Sequence, residues 1–180
     1  MSAARDFEAA VLPCLDSAYN LARWLLRDET AAEDVVQEAA LRAWRYFASL
    51  RGQQARPWFL AIVRNLCFTH LEERRGRREQ TGYEDEALEG LQHDAGLAAP
   101  DPARALQGRR DGARIDAAVR ALAPPLREVV VLRELEGLEY AEIALVAGIP
   151  IGTVMSRLSR ARGRLRELLQ PAGAGGLERP

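Results

Sequence analysis

Apolar side chains recur every three or four positions along two separate stretches, residues 1 to about 75 and 113 to about 170, and in both the period is that of an amphipathic helix. In the first stretch, residues 9–26 read as a helix interrupted near Pro13. Thr30 and Glu33 then form the two ends of a capping box, with the hydroxyl accepting from an early amide and the carboxylate reaching back. They predict a helix running to about Phe47. A loop over 49–55 follows, and Pro57 stands where the first helical turn tolerates a missing N–H. The next helix, WFLAIVRNLCFTHLEERR, ends in a basic cluster. In the second stretch, one helix covers 114–122, Pro124 and Pro125 punctuate it, and a second covers 126–135 and stops at Gly137. A short helix over 140–147, a turn at 148–150 and a longer helix to about Leu169 complete the pattern of a helix-turn-helix.

Between the stretches the period is lost. Residues 76–112 hold Gly76, Gly82, Gly90, Gly96, Pro100, Pro102, Gly108 and Gly112 among many charges, and their acidic residues have no apolar face to belong to. This composition predicts an acidic flexible linker. The tail, 171–180, reads as disordered. The fold class is therefore all-α: two small helical domains, 1–75 and 113–170, joined by a flexible linker, the C-terminal one a four-helix helix-turn-helix domain.

Composition agrees with this picture. The chain is 48% hydrophobic and 28% charged, and the apolar surplus is mostly Ala and Leu rather than β-branched. Cys14 and Cys67 stand 53 positions apart with no CxxC and no nearby His pair, so two buried thiols in a reducing cytoplasm are expected, with no metal site and no cofactor. The start carries Asp6 and Glu8 where a signal peptide would be basic and then apolar, and no stretch approaches the roughly 20 apolar residues of a membrane span. The expectation is a soluble, cytoplasmic protein without membrane insertion. The net charge is −1, so any affinity for nucleic acid must be local. It is found in residues 140–170, where five arginines face only Glu142 and Glu167.

Three constellations carry candidate chemistry. In the final helix, Val154, Leu158, Ala161, Leu165 and Leu168 form the buried stripe, while Arg157, Arg160 and Arg164 recur at i, i+3 and i+7 beside Thr153 and Ser156. Arginine binds guanine O6 and N7 or a phosphate bidentately, short hydroxyls reach backbone oxygens, and a helix N-terminus favours anions. Arg157 and Arg160 are the candidates for base contact, with Arg162 and Arg164 for phosphate or water. On that basis Arg157→Ala should weaken duplex binding by about 1–3 kcal/mol. Taken alone, the helix is equally a solvated amphipathic face.

In EDVVQEAALRAW, Asp34, Gln37 and Glu38 share one side with Leu41 and Trp44, the composition of a protein-docking face in which charges set register and the aromatic anchors. Paired carboxylates could also suggest catalysis, but no nucleophile, metal-ligand set or second cluster accompanies them, so neither an enzyme nor a small-molecule substrate is expected. Last, Arg56, Arg64, Asn65, Arg74 and Arg75 are interleaved with Trp58, Phe59 and Phe68, a mixture that suits single-stranded nucleic acid. Trp58, Phe59, Ile62, Val63 and Leu66 fit a core stripe equally well.

Taken together, the chain resembles bacterial sigma factors of the extracytoplasmic-function group, over nearly everything but the linker and tail. AEDVVQEAALRAWRYF is similar to the region-two helix that docks on the RNA polymerase clamp. RPWFLAIVRNLCFTHLEERR is similar to the helix facing the minus-ten promoter element, and residues 126–165 are similar to region four, which reads the minus-thirty-five element. The resemblance implies a promoter-specificity subunit that binds core RNA polymerase and promoter DNA, assists melting, and is regulated by an anti-sigma factor. By position, Asp34, Gln37, Glu38, Leu41 and Trp44 would contact polymerase. The loop 48–55 would help capture a flipped base, with Arg56, Arg64 and Asn65 along its path. Thr153, Ser156, Arg157, Arg160, Arg162 and Arg164 would meet the upstream duplex, with Tyr140 near its backbone. The sequence departs from many relatives at Pro150 and Ile151, where they carry Ser or an acidic residue, and at Met155, where they carry Lys. Its final helix therefore starts without a side-chain cap and with one cation fewer. Two other readings of the residues remain: a stand-alone helix-turn-helix regulator with an N-terminal sensor or dimerisation bundle, and a helical adaptor that binds only protein.

Overall fold

A computed structural model describes residues 3–50, 52, 54–81 and 102–170, and among these there is no strand. The middle of the expected linker, 82–101, and the tail, 171–180, lie outside the described residues. Helix α1 (Ala3–Val11) passes through a tight turn at Leu12–Cys14 into α2 (Leu15–Leu26), so the interruption sits where Pro13 removes a backbone donor. α3 (Glu29–Tyr46) and α4 (Ala55–Thr81) complete the first unit. The second unit comprises α5 (Pro102–Arg120), α6 (Pro124–Val130) with a wide π turn at Val131–Leu135, α7 (Tyr140–Ala147) and α8 (Ile151–Leu169).

The structure differs from expectation at three places. The capping box expected at Thr30 and Glu33 is not the start of α3. Asp28, in extended conformation two residues earlier, accepts the Ala31 amide at 3.0 Å, and Thr30 lies in the first turn. Asp28→Ala is expected to cost about 1 kcal/mol of stability, read as a lower urea midpoint at unchanged slope. Helix α4 continues to Thr81 and α5 begins at Pro102, so the stretch 76–112 is helical at both ends despite its glycines. Leu168, assigned to the buried stripe of the last helix, is exposed, although Arg114 of α5 donates to the neighbouring Leu169 carbonyl at 3.1 Å.

The two units do not stand apart. Their buried residues form one continuous apolar core, from Leu21, Leu25, Phe59, Leu60 and Val63 on one side to Val131, Leu132, Ile143 and Leu158 on the other. Helix α4 packs on α7, and α2 on α6. Cys14 and Cys67 are both free and buried, and burial pushes the Cys67 thiol up to about 12, so it stays protonated and unreactive. No single described helix is long and apolar enough to cross a membrane.

Candidate nucleic-acid and polymerase interfaces

The helix-turn-helix forms as the pattern dictates. Gly148 ends α7 at φ +65°, a left-handed conformation that glycine adopts without steric cost. At the other end of α7, the Glu139 amide donates to the Glu142 carboxylate at 2.7 Å. Helices α7 and α8 meet at 99°, within the range of this motif. Pro150 precedes α8 and offers no side-chain acceptor, so the helix starts uncapped, as the sequence implies.

Burial of Val154, Leu158 and Ala161 fixes which way α8 turns. Ser156 and Arg160 face outward with Gly152, Met155 and Ser159. Arg160 rests on its own helix, with Nε 3.4 Å from the Ser156 carbonyl, and Thr153 is half-buried at the edge of this face. Arg157 does not share it. Its side chain is drawn inward, and Nη1 lies 3.7 Å from Oε2 of Glu128 on α6. Arg157 and Arg160, expected together as base readers, therefore do not share a face here: a 300° step from Val154 returns Arg157 to the flank of the buried stripe, where a buried carboxylate meets it. Arg162 donates to Glu134 of the π turn at 2.8 Å, and Arg164 pairs with Glu167 on the surface. Tyr140 is half-buried beneath the Arg133 guanidinium, 5.1 Å from ring centre to carbon.

The second constellation is assembled as expected. Asp34, Gln37, Glu38, Leu41 and Trp44 are all exposed on one side of α3, while Ala31, Ala32, Val35, Ala39 and Ala43 bury the other. Leu41 is 63% and Trp44 49% exposed, an unusual degree for residues of this size. Trp44 is steadied by the edge of Phe7, with ring centroids 5.1 Å apart. Glu38 also holds Arg42 one turn on at 2.6 Å.

In the third, the aromatics divide. Phe59 is fully buried, and Trp58 and Ile62 pack against the core, so these residues belong to the core stripe. The arginines divide too: Arg74 lies 3.9 Å from Asp28 and Arg75 pairs with Glu79 one turn on in α4, whereas Arg56 and Arg64 face the second unit. Arg56 Nη2 donates to the Ser17 hydroxyl at 3.0 Å, to the Glu136 carbonyl at 2.9 Å and to the Glu136 carboxylate at 2.8 Å. Arg64 Nε donates to Glu128 Oε1 at 2.6 Å, and its guanidinium stacks 4.0 Å from the Phe68 ring centroid. Asn65 alone of the three is exposed. Residues 51 and 53 of the loop expected to receive a flipped base lie outside the described residues.

Sequence reasoning missed two residues at the centre of this junction. Glu128 is fully buried between Arg64 and Arg157. Burial pushes its carboxyl above the usual carboxylate range, and the Arg64 hydrogen bond and charge only partly pull it back. Arg127, 4% exposed, places Nη1 3.0 and 3.2 Å from the Trp24 and Leu25 carbonyls at the end of α2. Its Nη2 lies 2.8 and 2.7 Å from the Arg120 and Leu122 carbonyls. Burial lowers the Arg127 guanidinium to about 10, so it remains charged at neutral pH. The one available signal was a charged pair inside the apolar run PPLREVVVL.

The described residues thus join, in an all-helical body, an uncapped arginine-bearing helix of a helix-turn-helix and a separate acidic-aromatic face on α3, a composition that suits a DNA-binding protein with a protein partner. The comparisons make the class specific. The family model Sigma-70 region 2 matches residues 11–77, and Sigma-70, region 4 matches residues 112–165. The RNA polymerase sigma-H factor of Pseudomonas aeruginosa is 34% identical over 169 residues, covering 93% of this chain and 88% of that one. The ECF RNA polymerase sigma-E factor of Escherichia coli is 34% identical over 77% of this chain and 73% of its own. The sigma factor RpoE of Bartonella quintana, solved in complex with the anti-sigma factor NepR, superposes with a TM-score of 0.75 at 28% identity, covering 92% of this chain and 97% of that one. The chain belongs to the extracytoplasmic-function group of bacterial RNA polymerase sigma factors.

Proposed function

We propose that this sigma factor docks on core RNA polymerase through the exposed face of α3, meets the upstream promoter duplex with α8, and supports melting beside α4, catalysing no covalent step and acting in the cytoplasm. The observation that carries the reading is the α3 face: Leu41 and Trp44 are exposed to solvent beyond the carboxylates of Asp34 and Glu38, on a helix whose opposite side is buried. A stand-alone helix-turn-helix regulator has no use for such a surface.

The packed arrangement adds a condition. Arg56 and Arg64, the groups expected along the melted strand, are held by Glu136 and Glu128 of the second unit. Contact with DNA has to displace these carboxylates, and Arg64 is largely covered by the second unit, so the packed form reads as a resting form and engagement with polymerase and promoter accompanies opening. A regulatory partner of the anti-sigma kind, such as NepR is to the related RpoE, would act by favouring the packed form.

The test is reconstitution with bacterial core polymerase on a library of promoters. A stable core complex and a defined set of start sites are expected. Absence of both a core complex and any specific transcript overturns the reading. Within it, Arg160→Ala is expected to weaken upstream-duplex binding by about 1–3 kcal/mol, measured by fluorescence anisotropy at fixed salt.

A further inference from the structure

We propose that Met155, with Ile151 one turn before it, gives the upstream duplex reading a thymine requirement through apolar contact with the base's C5-methyl group. This rests on the reading of α8 as the recognition helix. The outward face of α8 is set by what the inward face buries: with Val154, Leu158 and Ala161 inside and Arg157 turned to Glu128, the outward residues include Ile151, Gly152, Met155, Ser156, Ser159 and Arg160. Two of these are large and apolar yet solvent-exposed, Ile151 at 46% and Met155 at 54%. They lie four residues apart and therefore on one side of the helix, in its first two turns, the part that enters a major groove.

Arg160 and the serines beside them suit DNA, although Arg162 and Arg164 are paired with Glu134 and Glu167. Arg160, Arg162, Arg164 and Arg166 follow along the helix, and two hydroxyls stand beside Met155 and Arg160. A protein groove would more naturally meet an apolar face continuous along the helix, whereas this one stops after Met155 and gives way to charge. In the major groove, thymine alone among the four bases offers a methyl group, while Arg160 suits the acceptor pair of guanine. The unbranched methionine side chain can adjust its three torsions to lie against such a methyl, and the shorter Ile151 fills the space behind it.

The experiment uses the full chain bound to core polymerase and an upstream element obtained by selection from random duplex. Each thymine of that element is replaced singly by deoxyuridine, which removes only the methyl. At one or two neighbouring positions the wild type is expected to lose about fourfold in affinity, what burial of one methyl group is worth. Met155→Ala is expected to bind more weakly than wild type and to be indifferent to the same replacement. Met155→Lys is expected to shift the selected base at that position. If every deoxyuridine is tolerated while Arg160→Ala still weakens binding, the thymine contact is wrong and the recognition helix stands. If neither change matters and an apolar protein partner instead protects Met155, the reading of α8 falls with it.

Discussion

Replacing Glu128 by alanine is expected to lower the unfolding free energy by about 3 kcal/mol, the low end for removing one partner of a buried ion pair. The low end applies because Arg64 and Arg157 keep 19% and 22% side-chain exposure and can find water once the carboxylate is gone. Glu128→Gln keeps the volume and the acceptor for Arg64 Nε, so it should cost much less. The pair of variants separates packing from charge in a chemical denaturation series. The pH dependence has a defined sign. Because burial holds the folded-state pKa of Glu128 above its unfolded value, the native state binds the extra proton. Its contribution is complete below the unfolded value and is lost as pH rises through the raised folded one. Wild type minus Glu128→Gln stability should therefore fall across that window and level off above it. A difference that rises with pH would mean the arginines outweigh burial.

The second large effect is expected at Trp44. Truncation to alanine should weaken core-polymerase binding by about 2 kcal/mol or more, roughly thirtyfold, as for a central aromatic anchor. Stability should change by only about 1 kcal/mol, since the ring is half exposed and loses little beyond its edge contact with Phe7. Leu41→Ala should follow in the same direction with a smaller loss. Titration of labelled sigma factor with core enzyme reads both, and equal affinities for wild type and Trp44→Ala would remove α3 from the interface.

Much of this was legible in the chain. The α3 face was readable because helix periodicity alone separates Asp34, Gln37, Glu38, Leu41 and Trp44 from the alanines opposite. The helix-turn-helix was readable because Gly148 and Pro150 mark its turn and α7 and α8 start and stop within a residue of the pattern. The start of α3 was misplaced because two acceptable caps, Asp28 and Thr30, lie two residues apart and only the backbone conformation chooses between them. The inward turn of Arg157 was not legible for a different reason. Its neighbour Glu128 is 29 positions away, and its other neighbours are set by how α6 crosses α8. The same holds for Arg64 and Arg56, whose partners lie 64 and 80 residues on and depend on how the two units meet. Periodicity reports which face is apolar; it does not report which charge will be buried against which.

Arg127 has a kinetic consequence. Its two terminal nitrogens serve different masters: Nη2 is held by the Arg120 and Leu122 carbonyls of its own unit, and Nη1 alone reaches across to Trp24 and Leu25. In the opening proposed above, the Nη2 bonds within its own unit are the ones that would remain to hold the guanidinium, with Nη1 toward the vacated side. Re-formation then needs no search over the Arg127 torsions, whereas Arg56 and Arg64 have to find Glu136 and Glu128 again. Closing should be fast and nearly insensitive to Arg127→Lys in the encounter itself, while the lysine, with a single nitrogen for four carbonyls, shortens the lifetime of what has closed.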